Sequence, residues 1–416
     1  MTRKNPLLVV FFTIFIDMLG VGVLIPVIPQ LLANPNSPYY LLPAGFTLAQ
    51  GFIILGFLTA IYPIMQFFAT PILGQLSDKY GRKNILLISL AGTCLGYLVF
   101  AYGVLTHNLV LLFVSRAFDG ITGGNISVAQ AAIADITLPE NRAKSFGLIG
   151  MAFGLGFVFG PFLGGKLSDP TVLSFFNDAT PFWFAAFLCA LNILSVGLML
   201  PETLKEISHD LKINWVKSLN NIGHAIGMKE IRHLFATGFL FQGGFSFFTT
   251  FFGVYLIEKF GFTQGNIGDF YAALGICIAL SQAIVVRQAV KYFKGWQILR
   301  VSMFANGLLI LAYLLPTLAW QLFLVMPFFA VFNGLTQANL SALVSQSVGP
   351  KIQGQVLGIN SGVQALAQAI PPIVAGVVAA SFAPSASLIV AAAMIFLAGV
   401  VFWMNQKRHW EVVTGG

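Results

Sequence analysis

Charge is scarce in this sequence: Asp, Glu, Lys and Arg together make up 9% of the 416 residues, where a soluble protein carries about a quarter. That shortage excludes a soluble enzyme, a disordered chain and a nucleic-acid binder, despite a formal net charge of +8. Cysteine is rarer still. Cys94, Cys189 and Cys277 lie far apart in apolar stretches, a pattern that supports neither a disulfide framework nor a zinc site. The five histidines (His107, His209, His224, His233, His409) are all expected in loops, which argues against metal chemistry and histidine catalysis inside a membrane. No GxxxxGK[ST] phosphate loop occurs. What the chain does have is 57% hydrophobic residues, with 41 Phe and 42 Gly, a composition suited to lipid-facing helices that approach one another through small residues. It reads as an integral membrane protein.

A helix needs about 20 apolar residues to cross the hydrocarbon core. That length predicts twelve spans, at 7–31, 48–73, 84–105, 109–134, 143–166, 181–200, 234–257, 265–286, 296–316, 320–346, 353–380 and 384–405. The first apolar run is too long for a signal peptide, lacks a clean small-residue cleavage site and carries Asp17, so it is expected to span. All but three of the 22 Lys and Arg residues fall before span 1, in every second connection, or in the tail. Lys166 and Lys259 fall on the other side, and Arg116 lies within a span. The positive-inside rule then puts both termini in the cytoplasm.

The longest polar stretch, 201–233, separates six spans from six. Its Leu204, Ile207, Leu211, Ile213 and Trp215 allow a short amphipathic helix at the membrane surface. The expected organisation is an N-terminal six-helix bundle (1–200), a cytoplasmic linker (201–233) and a C-terminal six-helix bundle (234–416) with a short cytoplasmic tail. Such paired bundles hold substrate at their interface, around a central cavity near the bilayer midplane.

The connection after span 2 reads Gly74-Gln75-Leu76-Ser77-Asp78-Lys79-Tyr80-Gly81-Arg82-Lys83. A bland basic turn would need only its cations. Gly74 lets two helices touch, Asp78 can bridge or cap, and Gly81 permits a tight turn, as a releasable latch requires. Asp135, at the cytoplasmic end of span 4, is expected to join it through Arg82 or Lys83. Asp269, near the start of span 8, reads as a helix-terminal or gate residue. Asp17 lies about 15 Å deep in span 1, where a carboxylate costs several kcal/mol unless paired, solvated or protonated. It is either a structural hydrogen-bond acceptor or a cavity-facing acid over which proton and cationic solute compete. Arg116 is permanently charged and has Asp119 within helical neighbour range. Gly154, Gly156, Gly160, Gly164 and Gly165 form overlapping small-xxx-small spacing around Pro161, suited to close helix packing and a kink. Asn125 in span 4 and the amides Gln242, Asn333, Gln337, Asn339, Asn360, Gln364 and Gln368 are either interhelix glue or cavity lining.

The segment Gly74–Lys83 resembles the loop signature of the major facilitator superfamily, and the resemblance extends over essentially the whole chain. Arg116-Ala117-Phe118-Asp119-Gly120 is similar to its fourth-helix motif. Gly156-Phe157-Val158-Phe159-Gly160-Pro161-Phe162-Leu163-Gly164-Gly165 is similar to its fifth-helix antiporter motif. Asp17 with Gly20, Gly22, Pro26 and Pro29, and Pro201-Glu202-Thr203 after span 6, resemble drug:proton antiporters, tetracycline-resistance efflux proteins among them. Of those proteins' other membrane ionisable groups, the third-helix acid falls on Gly96, the eighth-helix histidine on Ile278 and the ninth-helix acid on Asn306. This leaves a metal-chelated tetracycline and some other amphipathic or cationic solute both open.

The resemblance implies an all-α major facilitator fold that works by alternating access and exports a small drug-like molecule from a plasma (inner) membrane, driven by a proton gradient. Asp17, Arg116 and Asp119 would couple the proton, with Arg116 tuning a nearby acid. Gly74, Asp78, Gly81, Arg82, Lys83 and Asp135 would form the latch, and Gly156, Gly160, Pro161, Gly164 and Gly165 the hinge. Asn125, Gln242, Asn333, Gln337, Asn360 and Gln364 would line the substrate cavity. No metal and no cofactor beyond the proton gradient is expected. Partners would be a small-molecule substrate, protons and the bilayer, with no nucleic acid and a monomeric state. Transport of a specific metabolite such as a siderophore or sugar, and a transport-dead receptor on the same fold, remain alternatives.

Overall fold

The computed structural model describes residues 6–137, 142–204, 213–228, 231–348 and 353–405. Among them, 12 helical stretches are long and apolar enough to cross a membrane. In chain order the helices are α1 (Pro6–Ala33), α2 (Leu48–Tyr80), α3 (Arg82–Leu105), α4 (Leu109–Thr122), α5 (Asn125–Ile136), α6 (Arg142–Leu167), α7 (Thr180–Met199) and α8 (Lys217–Gly227). They continue with α9 (Arg232–Phe260), α10 (Gln264–Leu280), α11 (Arg287–Tyr292), α12 (Gly295–Ala312), α13 (Leu322–Gln346), α14 (Gln353–Ser381) and α15 (Pro384–Met404). A π-helical turn, Ser281–Val286, joins α10 to α11 within one span. Such turns inside helices recur at functional sites.

The fourth span is the other interrupted one. Two consecutive poor helix formers, Gly123 and Gly124, separate α4 from α5, and they let the break lie against α2. A Cβ at Gly120 would meet the Tyr62 carbonyl at 2.5 Å, and one at Gly124 would meet Thr70 Cα at 2.9 Å. Asn108 caps the start of α4, accepting from the Val110 and Leu111 amides. The break places Asn125, first residue of α5, at depth in the span.

The chain divides into two compact units. The first comprises Met1–Gly51, Ile61–Lys217 and Phe262–Ala272, and the second Phe52–Ala60, Ser218–Gly261 and Ala273–Gly416. A division at the linker alone would therefore miss two helical segments. The start of α10 goes with the first unit because Gly165 of α6 and Gly268 of α10 touch, and a Cβ on Gly165 would lie 3.0 Å from Gly268 Cα. The middle of α2 goes with the second because Gly56 abuts the Pro372 carbonyl of α14.

Within the first unit α1 packs on α6 and α7, and α3 on α4, α5 and α7. The α1–α6 contact is a glycine seam. Gly156 rests on Met18, Gly160 brings a would-be Cβ to 2.7 Å from both Gly22 Cα and the Leu19 carbonyl, and Gly164 does the same to the Val23 carbonyl at 2.5 Å. Such backbone approach replaces the hydrophobic drive that lipid does not supply. Gly154 lies outside the seam, with nothing within 4 Å of its would-be Cβ, and Gly165 faces α10 instead of α1. In the second unit α9 packs on α14 and α15, and α12 on α13 and α15. Its core is aromatic: the Phe248 ring lies 4.5 Å from Phe252 and 5.1 Å from Phe329, and Phe252 lies 5.0 Å from Tyr313.

Several expectations change. His224 lies in α8 and His233 in the first turn of α9, where it is buried, so only His107 among the described histidines is in a connection. His209 and His409 lie outside the described residues. The amphipathic linker helix is α8, downstream of Ile213 and Trp215, and its Ile222, Ala225 and Ile226 line an apolar groove with α9, α14 and α15. Residues Ile207 and Leu211 lie outside the described residues. Cys94 and Cys189, 95 positions apart, face each other across α3 and α7 as free thiols. Gly74 makes no close approach, since its would-be Cβ meets only Ser127 Oγ at 3.8 Å.

The seam yields a contrast. Gly160→Ala drives a methyl into backbone and is expected to destabilise the folded protein by about 1–3 kcal/mol. Gly154→Ala, into open space, should stay within about 0.5 kcal/mol of the wild type. Thermal unfolding of the two purified variants in detergent checks this.

Candidate functional site

A buried polar cluster forms where α1, α2, α3, α4 and α5 meet inside the first unit. Arg116 Nη1 donates to Asp119 Oδ2 at 2.6 Å, one turn apart on α4, with both side chains almost fully buried. The guanidinium also lies 4.4 Å from the centre of the Tyr62 ring, a cation–π contact that is worth most when desolvated. Gln66 fixes that ring from the same helix, donating to the Tyr62 hydroxyl at 3.2 Å and to the Gly123 carbonyl at 2.9 Å. Thr93 and Thr122 hydroxyls meet at 3.0 Å behind Asp119.

Asp17 stands beside this pair, close enough to Asp119 for the charges to interact. Its side chain adjoins Asn125, yet neither carboxylate oxygen has a hydrogen-bond partner, and the two amide atoms of Asn125 lack one as well. Tyr97 places its hydroxyl in the notch left by Gly20, one helical turn from Asp17. Buried polar atoms are rarely left unsatisfied. Contrast Thr13, also on α1, whose hydroxyl bonds both the Val9 carbonyl and Asn192 of α7. That is what structural glue looks like, and Asp17 does not have it. The cluster holds two carboxyl groups against one guanidinium, so one further cation balances it: a proton, or a positively charged guest.

Asp17 was expected either as a structural hydrogen-bond acceptor or as a cavity-facing acid; it is 5% exposed with both carboxylate oxygens buried, and the α1–α6 seam and Tyr97 lie close by. Asn125, expected among substrate-contacting amides, is fully buried at the Asp17 carboxyl instead. The remaining amides belong to the second unit. Gln337 of α13 donates to Gln242 of α9 at 3.2 Å, and Asn339 turns back on the Leu335 carbonyl. Asn333 Oδ1, Ser281 Oγ in the π turn and both amide atoms of Asn306 are buried without partners. Asn360 is buried, Gln364 half-buried and Gln368 exposed on α14.

At the α2–α3 junction Arg82 is the hub. It reaches Asp78 at 2.6 Å, the Ser77 hydroxyl at 2.6 Å and Asp135 of α5 at 3.1 Å. Gly81 sits at φ 92°, in a region that side-chain-bearing residues avoid. Against it lies Glu202, which accepts from the Arg82 and Lys83 amides at 3.0 and 3.2 Å. A carboxylate there satisfies free N–H groups and the positive end of the α3 dipole. Lys83 Nζ donates to the Gly197 carbonyl of α7 at 2.7 Å. Gly74 takes part through its carbonyl, which accepts from the Ser77 hydroxyl at 2.7 Å.

The sequence reading missed Tyr62, Tyr97, Gln66 and the capping role of Glu202. A signal existed for the first two, since Tyr is far rarer than Phe here and a phenol inside a span calls for a polar neighbour. Nothing local marks which amide meets which acid.

A twelve-span fold with a buried acid cluster and a charged junction between spans 2 and 3 defines a membrane transporter class. The description of the Major Facilitator Superfamily matches residues 10–372, and the chain belongs to that superfamily. It is 32% identical over 387 residues to tetracycline resistance protein, class C, of Escherichia coli, covering 93% of this chain and 92% of that protein. To multidrug resistance protein 2 of Bacillus subtilis (strain 168) it is 26% identical over 382 residues, 90% and 89% of the two chains. The solved D-xylose-proton symporter shares the fold, with a TM-score of 0.77 over 95% and 96% of the chains at 15% identity.

Glu202→Gln keeps the shape of the α3 cap but removes its charge. It is expected to lower stability by about 0.5–1 kcal/mol, read as a drop in melting temperature that shrinks as salt is raised.

Proposed function

We propose that this protein is a proton-coupled exporter of a small amphipathic or cationic organic compound, of the drug and antibiotic class, working by alternating access in a plasma membrane with both termini cytoplasmic. The orientation rests on the positive-inside distribution of Lys and Arg. The observation that carries the coupling is the Asp17 carboxyl, buried without a partner beside the Arg116–Asp119 pair. A group left unsatisfied in low dielectric binds a proton or awaits a charged guest. Movement of α1 along its glycine seam with α6 opens that enclosure in turn to each side. The likeness to tetracycline and multidrug resistance proteins supports drug-like cargo, and the unpartnered Asn306, Asn333 and Ser281 supply neutral hydrogen-bonding groups for its polar parts. One proton moving down about 150 mV supplies about 3.5 kcal/mol, enough for a gradient of about a few hundredfold.

The test is proton movement in proteoliposomes challenged with a panel of antibiotics and organic cations. Wild type should exchange protons for at least one compound. Asp17→Asn should abolish that exchange while leaving expression and melting temperature near wild type. Unimpaired exchange by the variant, or solute accumulation together with inward protons, overturns the reading.

A further inference from the structure

The face opposite the Arg82 hub carries a second enclosed carboxyl. Asp178 lies in the connection between α6 and α7, outside the spans, and is 0% exposed. Its Oδ1 accepts from Gln264 Nε2 at 3.1 Å, and its Oδ2 has no partner. Gln264 opens α10, and the start of that helix is gripped from three sides of the first unit. Gln30 of α1 donates to the Phe262 carbonyl at 3.3 Å, Lys166 of α6 pairs with Asp269 at 2.8 Å, and Gly165 abuts the Gln264 carbonyl and Gly268. Of these four links only Asp178–Gln264 is both buried and titratable at one end.

Resting on the transporter reading above, we propose that Asp178 is a second proton-binding site, which holds α10 against α6 and α7 when protonated and lets go when ionised. Burial pushes the Asp178 carboxyl from 3.8 up to about 7, with the Gln264 amide holding it back. At the start of α10 Lys166 and Asp269 pair with each other, and Asp169 lies against Gly265, but the influences on the Asp178 carboxyl itself are burial and the Gln264 amide. The connection between α1 and α2, 34–47, carries no charge. Among the described residues no cation acts on that carboxyl in place of a proton. A carboxyl freed into water titrates near 3.8. Between that pH and 7 the freed form is ionised and the enclosed form is not, so each unit of rising pH disfavours the enclosed arrangement by about tenfold. Below about 4 both forms are protonated and above about 7 both are ionised, and the dependence levels off. The proton enters and leaves on this one face, so the site sets how readily that face opens and carries nothing across.

Spin labels at Phe175→Cys and Asn266→Cys, with Cys94, Cys189 and Cys277 replaced, report the separation of the α6–α7 connection from α10 in nanodiscs. Double electron–electron resonance from pH 5 to 8 should show the short-distance population of the otherwise wild-type protein falling as pH rises. Asp178→Asn, a permanently neutral isostere, should hold that population constant. Gln264→Leu, which removes the donor that favours the ionised form, should extend the fall to higher pH. A pH-independent distribution in the wild type, or an unchanged fall in Asp178→Asn, overturns the proposal. Asp17→Asn separates this site from the transport reading, because it should keep the pH response. If Asp17→Asn abolishes the response while Asp178→Asn retains it, the second site is refuted and the coupling role of Asp17 stands.

Discussion

A charge inside a hydrocarbon slab must be neutralised by something, and in this protein the groups at hand do not suffice. Arg116 has Asp119 and the face of Tyr62; Asp17 has only an amide that is itself unbonded. The rest of the first unit makes that imbalance persist. Glycines bring α1 onto α6 and α4 onto α2 so closely that the neighbourhood of the carboxyl is enclosed, and the Gly123–Gly124 break delivers Asn125 to it. In water such a site would be unremarkable. At low dielectric an ionised carboxyl without a partner costs several kcal/mol.

The two faces of the first unit are held by different physics. On one, a largely buried guanidinium gathers two carboxylates and a hydroxyl, while a glutamate from the end of the sixth span caps the next helix. Exposed ion pairs contribute little, so the strength of this junction lies in the buried hub and in Glu202. On the other face the visible ion pair, Lys166–Asp269, is solvent-exposed on both sides. The buried contact there is a neutral amide donor on the Asp178 carboxyl.

The second unit is built without buried ion pairs among its described residues. Its centre is a stack of Phe and Tyr, and its interior polarity is carried by amides and a serine in a π turn. Neutral groups of this kind grip polar atoms of a guest without the desolvation cost that a charge carries. The buried carboxyl cluster thus belongs to one unit and the buried, unpaired amides to the other, a difference on which the proposed exporter reading rests.

The number of spans and their approximate positions were legible in the chain itself, because a run of about twenty apolar residues is a property of composition over a window. The Arg116–Asp119 pair was legible too, being local to one helical turn; that Asp135 would join the junction was legible, but its choice of Arg82 over Lys83 was not. Contacts between distant helices were not. That Asn125 meets Asp17, that Tyr62 covers Arg116, that Cys94 faces Cys189, and that Gln264 seeks out Asp178 depend on helix rotation, which glycine-mediated backbone contact sets and no hydrophobic pattern encodes in a chain apolar on every side. Sequence alone established what each helix contains; only the tertiary structure decided which side chains share a dry pocket, because in lipid the direction a helix faces is chosen by its neighbours.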